Sequence, residues 1–182
     1  MTHIGIREHK LSLVISVHRN RREPMNQLWP HLGLFAARLA LPAWVGAAVL
    51  FVINGVRLVT SGAFDSVGRD HIALVRFPAY YLVGATLMGL SLVGLLLARG
   101  VMGLPHRRWV TAFGLTLLAC GAMLGDYVFV YLPLAEMISP PGSPRPAHFL
   151  VLHRASEIVN VIQVGLCFAA AVIAALPLRS ER

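Results

Sequence analysis

The sequence predicts an all-α protein, a four-helix transmembrane bundle with both termini cytoplasmic. Three observations carry that reading. Hydrophobic residues make up 57% of the 182-residue chain, only 13% of residues are charged, and mean hydropathy is +0.68. A soluble domain carries roughly 25% charged residues, and a soluble fold of this length has too little interior for so much apolar surface. Four apolar segments reach the ~20 residues that cross a hydrocarbon layer. Such spans must be helices, since lone strands leave backbone groups unpaired in lipid and four cannot close a barrel. With two cysteines, a disulfide-built secreted module is excluded as well.

The elements follow in order. Residues 1–30 form a basic N-terminal extension, expected to be poorly ordered. Its apolar stretch, Leu11 to Val17, is too short to span and has no small-residue cleavage site after it. Met25-Asn26-Gln27-Leu28-Trp29 reads as a second natural start, so residues 1–24 are expected to reflect the choice of start codon. The bundle occupies 31–178, with spans at 39–59, 72–98, 109–137 and 149–176, and a tail at 179–182. Ser61-Gly62 opens the first loop and Gly103-Leu104-Pro105 fills the second. The third, residues 139–146, holds four prolines and cannot be helical. Gly121 with Gly125, and Ala85 with Gly89, have the spacing that lets membrane helices approach closely.

Charge sets the orientation. Of 16 Lys and Arg, eleven fall before the first span, in the second loop or at the C-terminus, and five fall on the other side. Basic residues stay cytoplasmic, which places both termini inside and the first and third loops outside. The formal charge of +8 is therefore a topology signal first. Attraction to anionic lipid comes second, and no nucleic-acid partner is expected.

Ionisable groups inside a span are costly and face a partner or a cavity. Arg57 lies 19 residues from Arg38, Asp126 18 from Arg108, and Asn160 19 from Arg179. At ~1.5 Å per residue all three stand ~27–29 Å above the inner face. Arg76 and Glu157 come out a turn higher, and His153 a turn beyond that. On the fourth helix Phe149, His153, Ser156, Glu157, Asn160, Gln163 and Cys167 share an arc of about 120°, opposite an apolar face of Val159, Ile162, Leu166, Ala170 and Ile173. The expected site is thus an inward polar cluster of Arg57, Arg76, Asp126, His153, Ser156, Glu157 and Asn160, with Arg57 and Arg76 pairing the carboxylates. Its first reading is a network that fixes helix register; its second is a binding or transport site. In a third, Arg76, Arg154 and His153 snorkel to the interface.

Other chemistry is weaker. Most histidines lie in basic inner segments, and no His-x-x-Glu-His or Cys-x-x-Cys spacing occurs. His71 and His153 stand at similar depth, which admits an axial haem pair. Cys120 and Cys167 match in depth, as a soft-metal thiol pair would, although a buried cysteine usually acts as a small hydrophobe. No metal site and no cofactor is predicted. Gly-x-Ser-x-Gly and phosphate-binding glycine patterns are absent and nothing supplies an oxyanion hole, so an enzyme is not expected.

Several stretches carry a family resemblance. Leu41-Pro42-Ala43-Trp44-Val45-Gly46 opens the first span, and Arg76-Phe77-Pro78-Ala79-Tyr80-Tyr81-Leu82-Val83-Gly84 lies in the second. Asp126-Tyr127 with Tyr131-Leu132-Pro133 closes the third, and Phe149-x-x-x-His153-x-x-Ser156-x-x-x-Asn160 opens the fourth. Over residues 40–176 this order resembles the membrane family called domain of unknown function 4149, which includes the transmembrane protein 205-like proteins. The chain departs from it in a short acidic first loop, in Asn54-Gly55-Val56-Arg57 where a proline is expected, and in a proline-rich third loop. The resemblance implies a four-helix bundle with the final-helix His, Ser and Asn facing inward, and no established reaction.

The function expected is that of a small non-enzymatic protein of the plasma membrane (the inner membrane in a bacterium). Its inward cluster near the outer face holds the helices and offers a place for a small ion or polar ligand. The alternative is an accessory subunit packed against a larger membrane complex, or a homo-oligomer, with Gly121-x-x-x-Gly125 as a contact surface. A haem or redox carrier is the minor alternative.

Overall fold

The structure, a computed structural model, describes residues 5–178, with side chains from residue 28 onward. Its helices are α1 (Gly5–Thr60), α2 (Ser66–Leu97), α3 (His106–Asp126), a short α4 (Leu132–Met137) and α5 (Phe149–Ala175). A 3₁₀ turn (Ala98–Gly100) follows α2, and a π-helix (Tyr127–Tyr131) joins α3 to α4. Four continuous helical stretches are long and apolar enough to cross a bilayer: Leu28–Thr60, Ser66–Gly100, His106–Met137 and Phe149–Ala175. They contain the four expected spans to within a residue at each end. The extension expected to be poorly ordered, residues 1–30, lies almost wholly outside the residues with described side chains.

Local chemistry accounts for the boundaries. Asp65 caps α2 by accepting the Gly68 N–H at 2.7 Å, which satisfies one of the free donors of a helix start. Pro105 sits at the N-cap of α3, where its missing N–H costs nothing. The proline-rich loop before α5 is tied back across the fold. Arg145 pairs with Asp70 at 2.7 Å, and the Gly142 N–H donates to the other oxygen of the same carboxylate at 3.1 Å. Gly142 takes φ +86° there, in the left-handed region that favours glycine.

Packing fixes the register of the bundle. α1 and α2 meet where Gly33 faces Gly94: a Cβ added at Gly94 would stand 2.5 Å from the Gly33 carbonyl oxygen. Gly121, Gly125 and Gly89 have no neighbouring atom within 4 Å of an added Cβ. The close approach expected of Gly121-x-x-x-Gly125 and Ala85/Gly89 is therefore made by a different pair of glycines. Farther along, Trp44, Ala48, Tyr80, Tyr81, Met88, Ala119, Met123 and Cys167 form the main core. Buried hydroxyls within helices bond their own backbone, Ser91 to Leu87 and Thr116 to Ala112, each at 2.8 Å.

At the end of the bundle where α1 runs in from the N-terminus, two arginines clamp the C-terminus of α5. Arg38 donates to the carbonyls of Ala174 and Leu176 at 2.7 and 3.0 Å. Arg108 donates to Ile173, Pro177 and Ala174 at 2.7, 2.9 and 3.2 Å, and also to Leu176. The last carbonyls of a helix lack intrahelical partners and carry partial negative charge, so guanidinium groups satisfy them well. Arg38, Arg108 and the end of α5 thus share one level, as the depth arithmetic assumes.

Candidate functional site

Asp126 is the last residue of α3 and is 2% exposed. Eighteen residues above the arginine clamp, it meets α5 at the height the sequence predicts. Ser156 Oγ donates to its Oδ2 at 3.1 Å and Asn160 Nδ2 to the same atom at 3.3 Å. Asn160 Nδ2 also reaches the Ser156 carbonyl at 2.9 Å, which holds the amide in place. From α2, Tyr81 Oη donates to Asp126 Oδ2 at 2.5 Å and Tyr80 Oη to Asn160 Oδ1 at 2.6 Å. Three helices are joined through one carboxylate oxygen.

The other oxygen is bare. Among the described residues, the buried side-chain polar atoms with no hydrogen-bond partner are Asp126 Oδ1 and Trp44 Nε1. Trp44 belongs to the same core, its ring 4.9 Å from that of Tyr80. Asp126 has no cation within ion-pair distance among the described residues.

The surroundings are aromatic. The π-helix follows Asp126 directly, and its wider i→i+5 turn re-aims the side chains after it. Tyr127 and Tyr131 stack at 5.5 Å, and each stands 5.0 Å from Tyr81. On the other flank Phe51 lies 4.5 Å from Tyr80.

The expected charge pairing does not form. Arg57 is exposed and belongs to no ion pair among the described residues. Arg76 donates to the Phe51 carbonyl at 3.1 Å and lies over that ring at 4.7 Å, instead of reaching Asp126 or Glu157. Glu157 and His153 point outward, their side chains 62% and 49% exposed, and pair with each other at 3.4 Å. The physical reason is that helical rise fixes height and leaves azimuth open. The buried stripe on α5 runs through Ser156, Gln163, Cys167, Ala170 and Ala174. It is rotated toward Ala170, which the sequence placed on the outer face, and away from Glu157. The Asp–Arg ion pair near this end is Asp70–Arg145, with Asp70 3% exposed but the Arg145 side chain 45% exposed, and no signal in the sequence singled it out.

Of the seven predicted site residues, Asp126, Ser156 and Asn160 come together; Arg57, Arg76, His153 and Glu157 do not join them. Sequence reasoning missed Tyr80 and Tyr81 as site residues. Their signal was available: a buried tyrosine hydroxyl must find a partner, and two adjacent ones on an apolar helix require polar groups on the neighbours. His71 is exposed. Cys167 packs its thiol 3.6 Å from Met88 Sδ, and Cys120 is half-buried against the same core. No family model, curated protein or solved structure matches the chain, so the resemblance described above rests on the quoted stretches alone.

Proposed function

We propose that this protein is a multi-pass plasma-membrane protein, with both termini cytoplasmic, whose Asp126-centred cluster locks α2, α3 and α5 in register and binds a small ion or polar ligand. The family resemblance belongs to this reading, and so does the absence of an enzymatic role. One observation carries it: donors from two helices converge on Asp126 Oδ2 while Oδ1, equally buried, has no partner. Buried polar groups are costly unless paired. Three donors on one oxygen hold the carboxylate still and leave the other oxygen positioned for a partner.

A double-mutant cycle tests the lock. Tyr81→Phe and Ser156→Ala each remove one donor and little volume. Each is expected to lower stability in lipid nanodiscs by about 1 kcal/mol, the usual range for hydrogen bonds between membrane helices. The two losses are expected to be non-additive, because both donors serve one acceptor. Melting temperatures unchanged in both single variants would defeat the reading.

A further inference from the structure

We infer that the ligand of this cluster is a monovalent metal cation, an alkali-metal ion, seated at Asp126 Oδ1. The inference rests on the reading of the cluster just given and names what it binds. Charge decides the class. An ionised carboxylate without a countercharge is strongly disfavoured in a buried site, and Asp126 has no cation within reach among the described residues. Glu157, the nearest acid on α5, faces outward and pairs with His153. With a single carboxylate in the cluster, one positive charge brings the site to neutrality, whereas a divalent ion would leave an unbalanced charge.

Size agrees with charge. Asp126 is 2% exposed and is enclosed by Tyr80 and Tyr81, whose rings pack at 4.5–5.0 Å against Phe51, Trp44, Tyr127 and Tyr131. A bulky organic cation would have to displace these rings, which favours a bare ion. The Tyr81 and Ser156 hydroxyl oxygens that gather at Asp126 are hard ligands of the kind an alkali ion takes, whereas the Asn160 amide nitrogen only donates. The other titratable side chains in the core around Asp126 are Tyr80 and Tyr81 of α2, Tyr127 and Tyr131 of the π-helix, and Cys120 and Cys167 of α3 and α5. α1 presents Trp44 and Phe51, which do not titrate, and Arg76 is engaged by the Phe51 carbonyl.

The test is thermal unfolding of the full chain in nanodiscs, wild type beside Asp126→Asn. N-methylglucamine chloride is replaced by NaCl or KCl at constant ionic strength and constant pH. A cation present at about 100 times its Kd multiplies the folded-to-unfolded ratio about 100-fold, a rise in melting temperature of about 5–10 °C. The rise is expected with NaCl or KCl in wild type and is lost in Asp126→Asn, so the difference between the two proteins isolates Asp126. Should Asp126→Asn fail to fold, the infrared carboxylate bands of wild type, expected to shift when Na⁺ or K⁺ replaces N-methylglucamine, carry the same test. Identical dependence in both proteins, or no effect of either ion on melting or on the carboxylate bands, overturns the inference. In that event the register lock stands or falls separately, on Tyr81→Phe and Ser156→Ala.

Discussion

Asn160 and Glu157 lie three residues apart on one helix, yet their surroundings demand different outcomes on substitution. Asn160 accepts from Tyr80 at 2.6 Å and donates to Asp126 at 3.3 Å, bridging two helices from a third. Asn160→Leu leaves the Tyr80 hydroxyl without its acceptor and is expected to cost about 1 kcal/mol. Glu157 looks from the sequence like the costlier site, because it stands among arginines that would need a partner. With its side chain 62% exposed and His153 its ion-pair partner, Glu157→Leu is instead expected to change stability by less than about 0.5 kcal/mol. Thermal melts of the two variants check the ranking, and the reverse order would restore a charge network. The contrast shows what a sequence exposes at this scale. Heights were legible: the depth arithmetic put Arg57, Asp126 and Asn160 in one layer, and Asp126 and Asn160 meet in the structure while Arg57 does not join them. Direction was not, because one residue of helical rotation is ~100° and separates a buried stripe from an exposed edge.

At the scale of elements, the bundle is held by features whose partners are far apart in the chain. Four spans and their loops were readable because apolar length, glycine and proline are local signals. The glycines that allow close approach were not, since spacing alone cannot tell a packed face from an open one. Gly94 faces the backbone of Gly33, with an added Cβ 2.5 Å from a backbone carbonyl oxygen, which yields less readily than the end of a flexible side chain. Gly94→Ala is therefore expected to cost about 1–3 kcal/mol, the range for overpacking. Gly121→Ala adds its methyl to open space and is expected to be neutral or to stabilise by up to about 1 kcal/mol through helix propensity. Melts of both variants in nanodiscs check the difference. Equal loss from both would mean that the face bearing Gly121 is packed, as an accessory-subunit role requires. The π-helix was likewise invisible: Tyr127 to Tyr131 reads as an ordinary continuation of α3, yet its turn is wider there, and both its tyrosines stand against Tyr81.

Across the whole molecule, the arginine clamp and the Asp126 cluster mark opposite ends. Arg38 and Arg108 hold the end of α5 at the level where α1 arrives from the basic N-terminal segment. The Asp70–Arg145 pair fastens the proline-rich loop at the other. Eleven of 16 basic residues fall before the first span, in the second loop or at the C-terminus, and the orientation proposed from the positive-inside rule puts the clamp toward the cytoplasm and the cluster near the outer face. Thiol labelling in intact cells tests that orientation. Ala147→Cys places a thiol in the exposed loop before α5, and Met102→Cys places one in the second loop at a residue 63% exposed. The native thiols interfere little, since Cys167 is fully buried and Cys120 lies mid-helix, half-buried against the core. A membrane-impermeant maleimide is expected to label the Ala147→Cys protein directly and the Met102→Cys protein only after permeabilisation. The opposite pattern would invert the molecule and put Asp126 beside the cytoplasm, where its cation would be drawn from the cell interior.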